Sequence, residues 1–275
     1  MKFGFVLPHG DAKVATEFAR EAEAAGWDGF FVWEAVWSVD AWVCLTAAAM
    51  VTDRIRLGTM LTPLSRMRPW ELAGKTATVD HLSGGRVVLS VGLGAPETGF
   101  AEFGEVTDRK LRAELLDEGL DILTGLWQGQ PFRYTGKHYQ IKPLNFPHLP
   151  PAPIQQPRIP IWIVGAWPSQ KSMKRAARYD GLLPAMLDKK GKVQMRPATP
   201  GEIRQIKAWL DENRPARTPF DIVVEGKTPG GQPGQAAAQV LPYAEAGATW
   251  WIEALWDAPD LENALERIRQ GPPIS

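Results

Sequence analysis

Short apolar runs alternate along the chain with longer stretches whose apolar residues recur every three or four positions. Residues 3–7 (FGFVL) form the first run; residues 13–25 follow with helical spacing, and Gly26 stops them. The pattern then repeats. Runs at 29–33, 55–61, 86–92, 161–164, 181–185, 220–225 and 249–255 predict strands. Amphipathic stretches at 40–51, 69–82, 108–127, 169–179, 202–213, 235–246 and 261–269 predict the helices that follow them. Asp40 supplies an N-cap for the second helix, and Pro69 falls in the first turn of the third. Eight strand–helix units in strict alternation predict an α/β fold, a single (β/α)8 TIM barrel. A doubly wound open sheet is the other architecture with this alternation, but it would carry a glycine fingerprint on its first turn. There this chain has Leu7-Pro8-His9-Gly10-Asp11.

The rhythm breaks once. Residues 131–142 (PFRYTGKHYQIK) alternate β-type residues about Thr135-Gly136 and predict a hairpin. Residues 143–160 hold seven prolines and predict irregular backbone. Residues 128–160 thus form an excursion between the fourth and fifth units, too poor in apolar side chains for a core of its own, and residues 1–275 read as one domain.

Composition narrows the function. Hydrophobic residues are 44% and charged residues 23%, which suits a packed core. Basic and acidic residues balance at 31 each, so nothing favours nucleic acid or an anionic membrane as partner. No apolar run reaches the roughly 18 residues of a membrane span. Cys44 is the single cysteine, which rules out an intrachain disulfide and makes a reducing cytoplasm the expected setting. No His, Cys or carboxylate pattern has metal-ligand spacing, so no metal site is expected, and no Gly-x-Ser-x-Gly marks a hydrolase. Tryptophan is abundant, 12 against 4 tyrosines, which fits either a core of large side chains or aromatic walls for a planar ligand.

A barrel of this kind places its chemistry at the C-terminal ends of its strands. That selects His9 after the first strand, Glu34 and Trp37 after the second, and Thr59-Met60-Leu61-Thr62 at the end of the third. It selects Gly92, Gly94 and Glu97 after the fourth, Gly165 to Ser169 after the fifth, and Met186, Lys189 and Lys190 after the sixth. Glu225 and Lys227 follow the seventh, Glu253 and Trp256 the eighth. Glu34 and His9 are the candidates for acid–base work. Gly165-Ala166-Trp167-Pro168-Ser169 leads into a helix whose first N–H groups suit a phosphate; the plainer reading is a helix start capped by Ser169. His81 lies before a Ser-Gly-Gly turn at the opposite end and reads as structural, while His138 and His148 fall in the excursion.

Three blocks resemble the bacterial luciferase-like monooxygenases. They are Leu57-Gly58-Thr59 with RMRPWELA at 66–73, ATVDHLSGGR at 77–86 leading to Val91-Gly92-Leu93-Gly94, and PRIPIWIVG at 157–165 with AARYDG at 176–181. Arg109, Glu118 and LWQG at 126–129 fit as well. The resemblance implies a TIM barrel holding one flavin-type cofactor at the C-terminal mouth, either FMN or the deazaflavin coenzyme F420. It implies that Thr59, Met60, Leu61, Gly92, Gly94 and Glu97 lie beside the ring, with a non-proline cis peptide near Thr59-Met60. Trp33 and Trp256 are expected as further ring walls. Val164, Gly165, Ala166 and Trp167 are expected at the phosphate end, and Lys189, with Lys190 and Lys192, would meet the acidic tail of the deazaflavin coenzyme.

The activity so implied is oxygenation of a small organic substrate by reduced FMN and oxygen, with a flavin reductase as supplier. The alternatives are hydride transfer by the deazaflavin coenzyme and a non-catalytic flavin-binding homologue. Two departures bear on the choice. Glu34-Ala35 stands where many deazaflavin dehydrogenases of the family carry Asp-His, and Ala95 where they tend to carry Glu. Only the excursion and residues 186–200 are left to cover the site, so the expectation is either an open site or cover by a second copy of the chain, in a homodimer.

Overall fold

Each of the eight apolar runs becomes a strand, and the eight pair in parallel around a closed ring. The computed structural model describes residues 1–214 and 218–274. Its elements begin with β1 (Lys2–Leu7), α1 (Ala12–Ala24), β2 (Gly29–Val32), α2 (Ala41–Ala49), β3 (Arg56–Thr59), β4 (Thr62–Pro63), α3 (Pro69–Leu82) and β5 (Val87–Gly92). There follow α4 (Arg109–Trp127), β6 (Tyr134–Thr135), β7 (Gln140–Ile141), β8 (Ile161–Trp167), α5 (Gln170–Ala176) and β9 (Gly181–Met186). The last are α6 (Pro200–Asn213), β10 (Asp221–Gly226), α7 (Pro233–Glu245), β11 (Trp250–Ala254) and α8 (Leu261–Arg269). The strand order is β3-β2-β1-β11-β10-β9-β8-β5, and β3 closes on β5 through Leu57↔Val87 and Gly58↔Val88. That closure removes both edges an open sheet would expose, which decides between the two architectures. The short β4 continues the β3 column past a bend and pairs with Val91 and Gly92.

Two apolar layers follow from strand alternation. One side of every strand packs against the helices. The other fills the barrel, with Val6, Phe31, Met60, Val88, Trp162, Leu183, Val223, Trp250 and Ile252 as its core. Phe31, Trp162 and Trp250 pack with ring centroids 5.2–6.1 Å apart. Rings of that size fit only because the facing strands carry glycine. A Cβ on Gly58 would lie 2.5 Å from the Val88 carbonyl and 2.9 Å from the Phe31 ring, and one on Gly181 would lie 2.3 Å from Trp162. Trp162, Trp250 and Trp251 are therefore core residues, as is Trp42.

The β8 strand runs three residues beyond its expected end. Gly165, Ala166 and Trp167 pair with Pro184, Ala185 and Met186, so they are strand and not loop. Gly165 is small for a packing reason: a Cβ there would meet Leu182 at 2.2 Å and the Met173 sulfur of α5 at 3.2 Å.

The excursion contains the expected hairpin, β6–β7, with its turn at residues 136–139, and no regular structure from 142 to 160. Its contacts with the barrel run along α4, at Trp70 of α3 and at the N-terminal face. Helix α4 descends from the mouth, so the chain leaves it at the N-terminal face. There the Asp80 carboxylate accepts from the Ile154 and Gln155 amides at 2.8 and 3.1 Å, and His81 bonds the Ala152 carbonyl at 2.7 Å. The hairpin turns back along the outside of α4. The Glu118 carboxylate accepts the amides of Lys137, His138 and Tyr139 within 2.8–3.2 Å, while Glu114 takes the Lys137 ammonium and the His138 ring. Those two partners hold the Glu114 carboxyl down at about 2. Glu118→Ala leaves three turn amides without their acceptor. Limited proteolysis should then cut residues 131–142 about tenfold faster, with the barrel's melting nearly unchanged. An unaltered cleavage rate would show that the hairpin does not depend on this carboxylate.

Candidate active site

The C-terminal ends of the strands form a mouth with two unlike halves. On the β3–β5–β8 half the surfaces are small and apolar. Leu61, Gly92 and Val164 converge: a Cβ on Gly92 would sit 3.0 Å from Val164 and 3.1–3.2 Å from Leu61. Met60 lies beneath them in the barrel core, and the Met60–Leu61 peptide is cis, one bond beyond the expected position. Beside this apolar face runs a line of hydroxyls. Thr62 donates to Thr59 at 2.9 Å, and Thr59 donates to the Ser90 carbonyl at 3.1 Å. The Ser90 hydroxyl itself is buried without a partner. The following loop is held from outside: buried Arg112 of α4 donates to the Leu93 and Gly94 carbonyls at 2.8 and 3.2 Å. Gly94, at φ +74°, lies where a Cβ would strike Phe100 and Pro63.

Glu34 stands where this half meets the β2 loop. Its Oε2 is buried and has no hydrogen-bond partner. Burial pushes the carboxyl up to about 7; the Thr62 hydroxyl and the Arg66 guanidinium act the other way and do not offset it. Arg66 also fixes the loop by donating to the Ala35 carbonyl at 2.8 Å. A cavity of about 400 Å³ opens on the outer side of these loops, lined by Glu34, Arg66, Arg68, Glu71 and Lys75 among others.

The β10–β11–β1–β2 half is aromatic and acidic. Trp33 and Trp256 meet edge to face, with ring centroids 6.1 Å apart and planes at 88°, and the Trp33 indole donates to the Pro8 carbonyl. The Trp256 indole donates to the Glu225 carboxylate. Trp33 follows β2, the neighbour of β3, and Trp256 follows β11, across the ring of strands from β5. The strand-end rule selects Glu225 and Glu253 alike, and nothing in the local sequence ranks one over the other. Strand alternation separates them. Glu225 shares the inward face of Val223, whereas Glu253 points outward into a buried network with Thr228, Trp251 and Arg267.

The other selected residues lie further out. His9 is exposed on the rim near Asp260, and Glu97 is exposed in a short turn. Lys189 and Lys190 are exposed on a turn whose backbone is tied by Asp188 and by Arg109, which donates to the Gly191 carbonyl at 3.1 Å. Trp167 packs outward against the helix layer, while the Ala166 amide donates to the Ser172 hydroxyl at 2.9 Å. Ser169 holds the N-cap position of α5, but its side chain makes no capping bond. Among the described residues no group of three or more His, Cys, Asp or Glu side chains converges to hold a metal ion, and no helix is long and apolar enough to cross a membrane.

A family model described as luciferase-like monooxygenase matches residues 1–200. The chain belongs to this family. An uncharacterized protein of Mycobacterium tuberculosis is 37% identical over 141 residues, 51% of this chain and 48% of that protein. The chain therefore matches about half the length of such relatives. An F420-dependent glucose-6-phosphate dehydrogenase of Nocardia farcinica is 27% identical over 259 residues, 83% of this chain and 72% of the relative. Among solved structures, the monooxygenase RslO1 of Streptomyces bottropensis superposes with a TM-score of 0.78 at 19% identity, covering 98% and 97% of the two chains. The oxygenating constituent of 3,6-diketocamphane monooxygenase of Pseudomonas putida, in complex with FMN, gives 0.65 at 16% identity over 89% and 73%. At these identities the structural likeness shows the fold. The mouth of this luciferase-like chain also suits a flat heteroaromatic ring. It offers a glycine-lined apolar face, a row of hydroxyls beside it, and two buried polar atoms, Ser90 Oγ and Glu34 Oε2, left without partners.

Proposed function

We propose that the chain binds a flavin-type cofactor against the Leu61–Gly92–Val164 half of the mouth and uses it to transform a small organic molecule held on the opposite half. The observation that carries this reading is Glu34, a carboxyl with a buried, unpartnered oxygen and a pKa of about 7, standing beside Thr62 of the hydroxyl row. When bound, the cofactor supplies the electrons. The chain's own part is to position and to move protons. Leu61 and Val164 keep water from one ring face. The Ser90 hydroxyl, left without a partner, offers a polar contact to the ring's edge, and Thr59 holds Thr62 in the same row. Glu34 holds or releases a proton at Oε2. The phosphate end would be met by the backbone at Ala166 and the first turn of α5, with Gly165 and Trp167 shaping that backbone.

Reduced FMN with oxygen is the first reading, in keeping with the family's description, and a flavin reductase would then feed it. Hydride transfer by the deazaflavin coenzyme is the second. It draws support from the exposed Lys189, Lys190 and Lys192 turn, suited to an acidic tail, and from the F420-dependent relative. The exposed aromatic rim, where Trp37 stacks on Phe103 with centroids 6.2 Å apart, suits cover by a second copy of the chain. Titration with FMN and with the deazaflavin coenzyme, followed by tryptophan quenching, tests the reading. Binding of either supports the site, and the tighter of the two selects the chemistry to assay. Binding of neither overturns it, and binding without turnover under any donor leaves a cofactor-binding homologue.

A further inference from the structure

Among the described residues Glu225 has no counter-ion. Alternation along β10 turns it into the mouth, two residues beyond the inward-facing Val223. Among the described residues its polar partner is the Trp256 indole N–H. Lys227, the nearest cation along the chain, is engaged elsewhere, by both oxygens of Asp257 at 2.9 and 3.0 Å. His9 is out on the rim near Asp260. Among the described residues no Lys, Arg or His side chain forms an ion pair with Glu225. Burial pushes its carboxyl upward, opposed only by the Trp256 bond. The Trp256 indole lies against this carboxylate, and Trp33, held by its own bond to the Pro8 carbonyl, meets the Trp256 ring edge to face.

We propose that Glu225, Trp33 and Trp256 form the substrate subsite of this mouth and that it selects an organic cation, an amine or quaternary ammonium group on the molecule to be transformed. A half-buried carboxylate without a counter-ion gains most from a ligand that brings the missing charge. The indole faces left open by this edge-to-face pair attract a cation and give a neutral hydroxyl group little. A neutral donor could satisfy the carboxylate alone, but it would leave both ring faces unused. The placement fits a substrate role, since β10 and β11 lie across the ring of strands from β3 and β5. The assignment of substrate class rests on the cofactor reading above, whereas the cation preference does not.

Calorimetric titration with choline and with its neutral isostere 3,3-dimethylbutan-1-ol measures the preference directly. In the unaltered protein choline should bind about tenfold tighter than the isostere. Glu225→Gln keeps an oxygen for the Trp256 indole and removes the charge, so the two ligands should then bind within about twofold of each other. Trp33→Leu should lower choline affinity and leave that of the isostere less affected. The FMN and deazaflavin titrations, run on the same proteins, should be unchanged by Glu225→Gln. Equal binding of the two probes in the unaltered protein overturns the proposal, as does a preference that survives Glu225→Gln. Cation preference without cofactor binding would remove the redox reading and leave the subsite; cofactor binding without preference would do the reverse.

Discussion

Replacing Glu34 by glutamine should lower turnover by about 10²–10⁴-fold and remove the pH dependence near neutrality. In the unaltered protein the carboxyl sits at about 7, so both protonation states are populated at working pH. A group in that condition can give a proton and take it back in one cycle. The amide keeps the shape and hydrogen-bonding reach but cannot exchange a proton. The pH–rate profile checks this: an inflection near 7 in the unaltered enzyme should vanish in the variant. A retained inflection would assign proton transfer elsewhere.

The same substitution should also change stability, with a sign set by the direction of the shift. The folded state holds the Glu34 proton more tightly than the unfolded chain, whose carboxyl titrates near its ordinary value of 4.5. The stability tied to that proton is fully present below the unfolded value and is lost as pH rises through about 7. The whole shift corresponds to a ceiling of about 3 kcal/mol. Glu34→Gln should therefore melt close to the unaltered protein at pH 4–5 and above it at pH 8–9. Parallel melting curves across that range would mean that the carboxyl is not held in a desolvated place.

The architecture was legible because eight runs of period-two or continuous hydrophobicity alternate with helical spacing, and few folds use that order. The site was legible only in part. The rule that barrels work at their strand ends brought out Glu34 and the Thr59–Thr62 segment, which the structure brings together. It could not rank Glu225 over Glu253, because both follow apolar strand residues, and only the ring of strands says which side is inward. Nor could local sequence show that Gly165 is a packing glycine under Met173 and Leu182 rather than a loop glycine. The position of the excursion follows from connectivity: a chain leaving the bottom of α4 must cross the bottom of the barrel before β8. Proline content marks such a segment as irregular and carries no information about the face it covers.

Arg86→Ala should be the most destabilising single change outside the barrel interior, at about 3–5 kcal/mol. The guanidinium is buried and donates to five acceptors. These are the Ser83 carbonyl at 2.6 Å, the Thr52 hydroxyl at 2.8 Å, and the Ile55, Ala49 and Thr52 carbonyls at 3.1, 3.0 and 2.8 Å. Three of these lie at or just past the end of α2, where helix carbonyls have no intrahelical partner. One planar donor set thus ties the end of α2, the lead into β3 and the turn before β5. Gly84 and Gly85, at φ +65° and +83°, make the tight turn that aims it. Alanine would leave buried carbonyls without donors, whereas lysine, a single point donor, should recover only a fraction. The melting temperature should fall by about 10 °C, with cofactor affinity of the folded protein unchanged because the mouth is at the other end of the barrel. A fall in affinity without loss of stability would contradict this. The Ser-Gly-Gly-Arg block that most strongly suggests the family is then a fastening of the barrel's N-terminal face, and the residues that do the chemistry must be sought at the mouth.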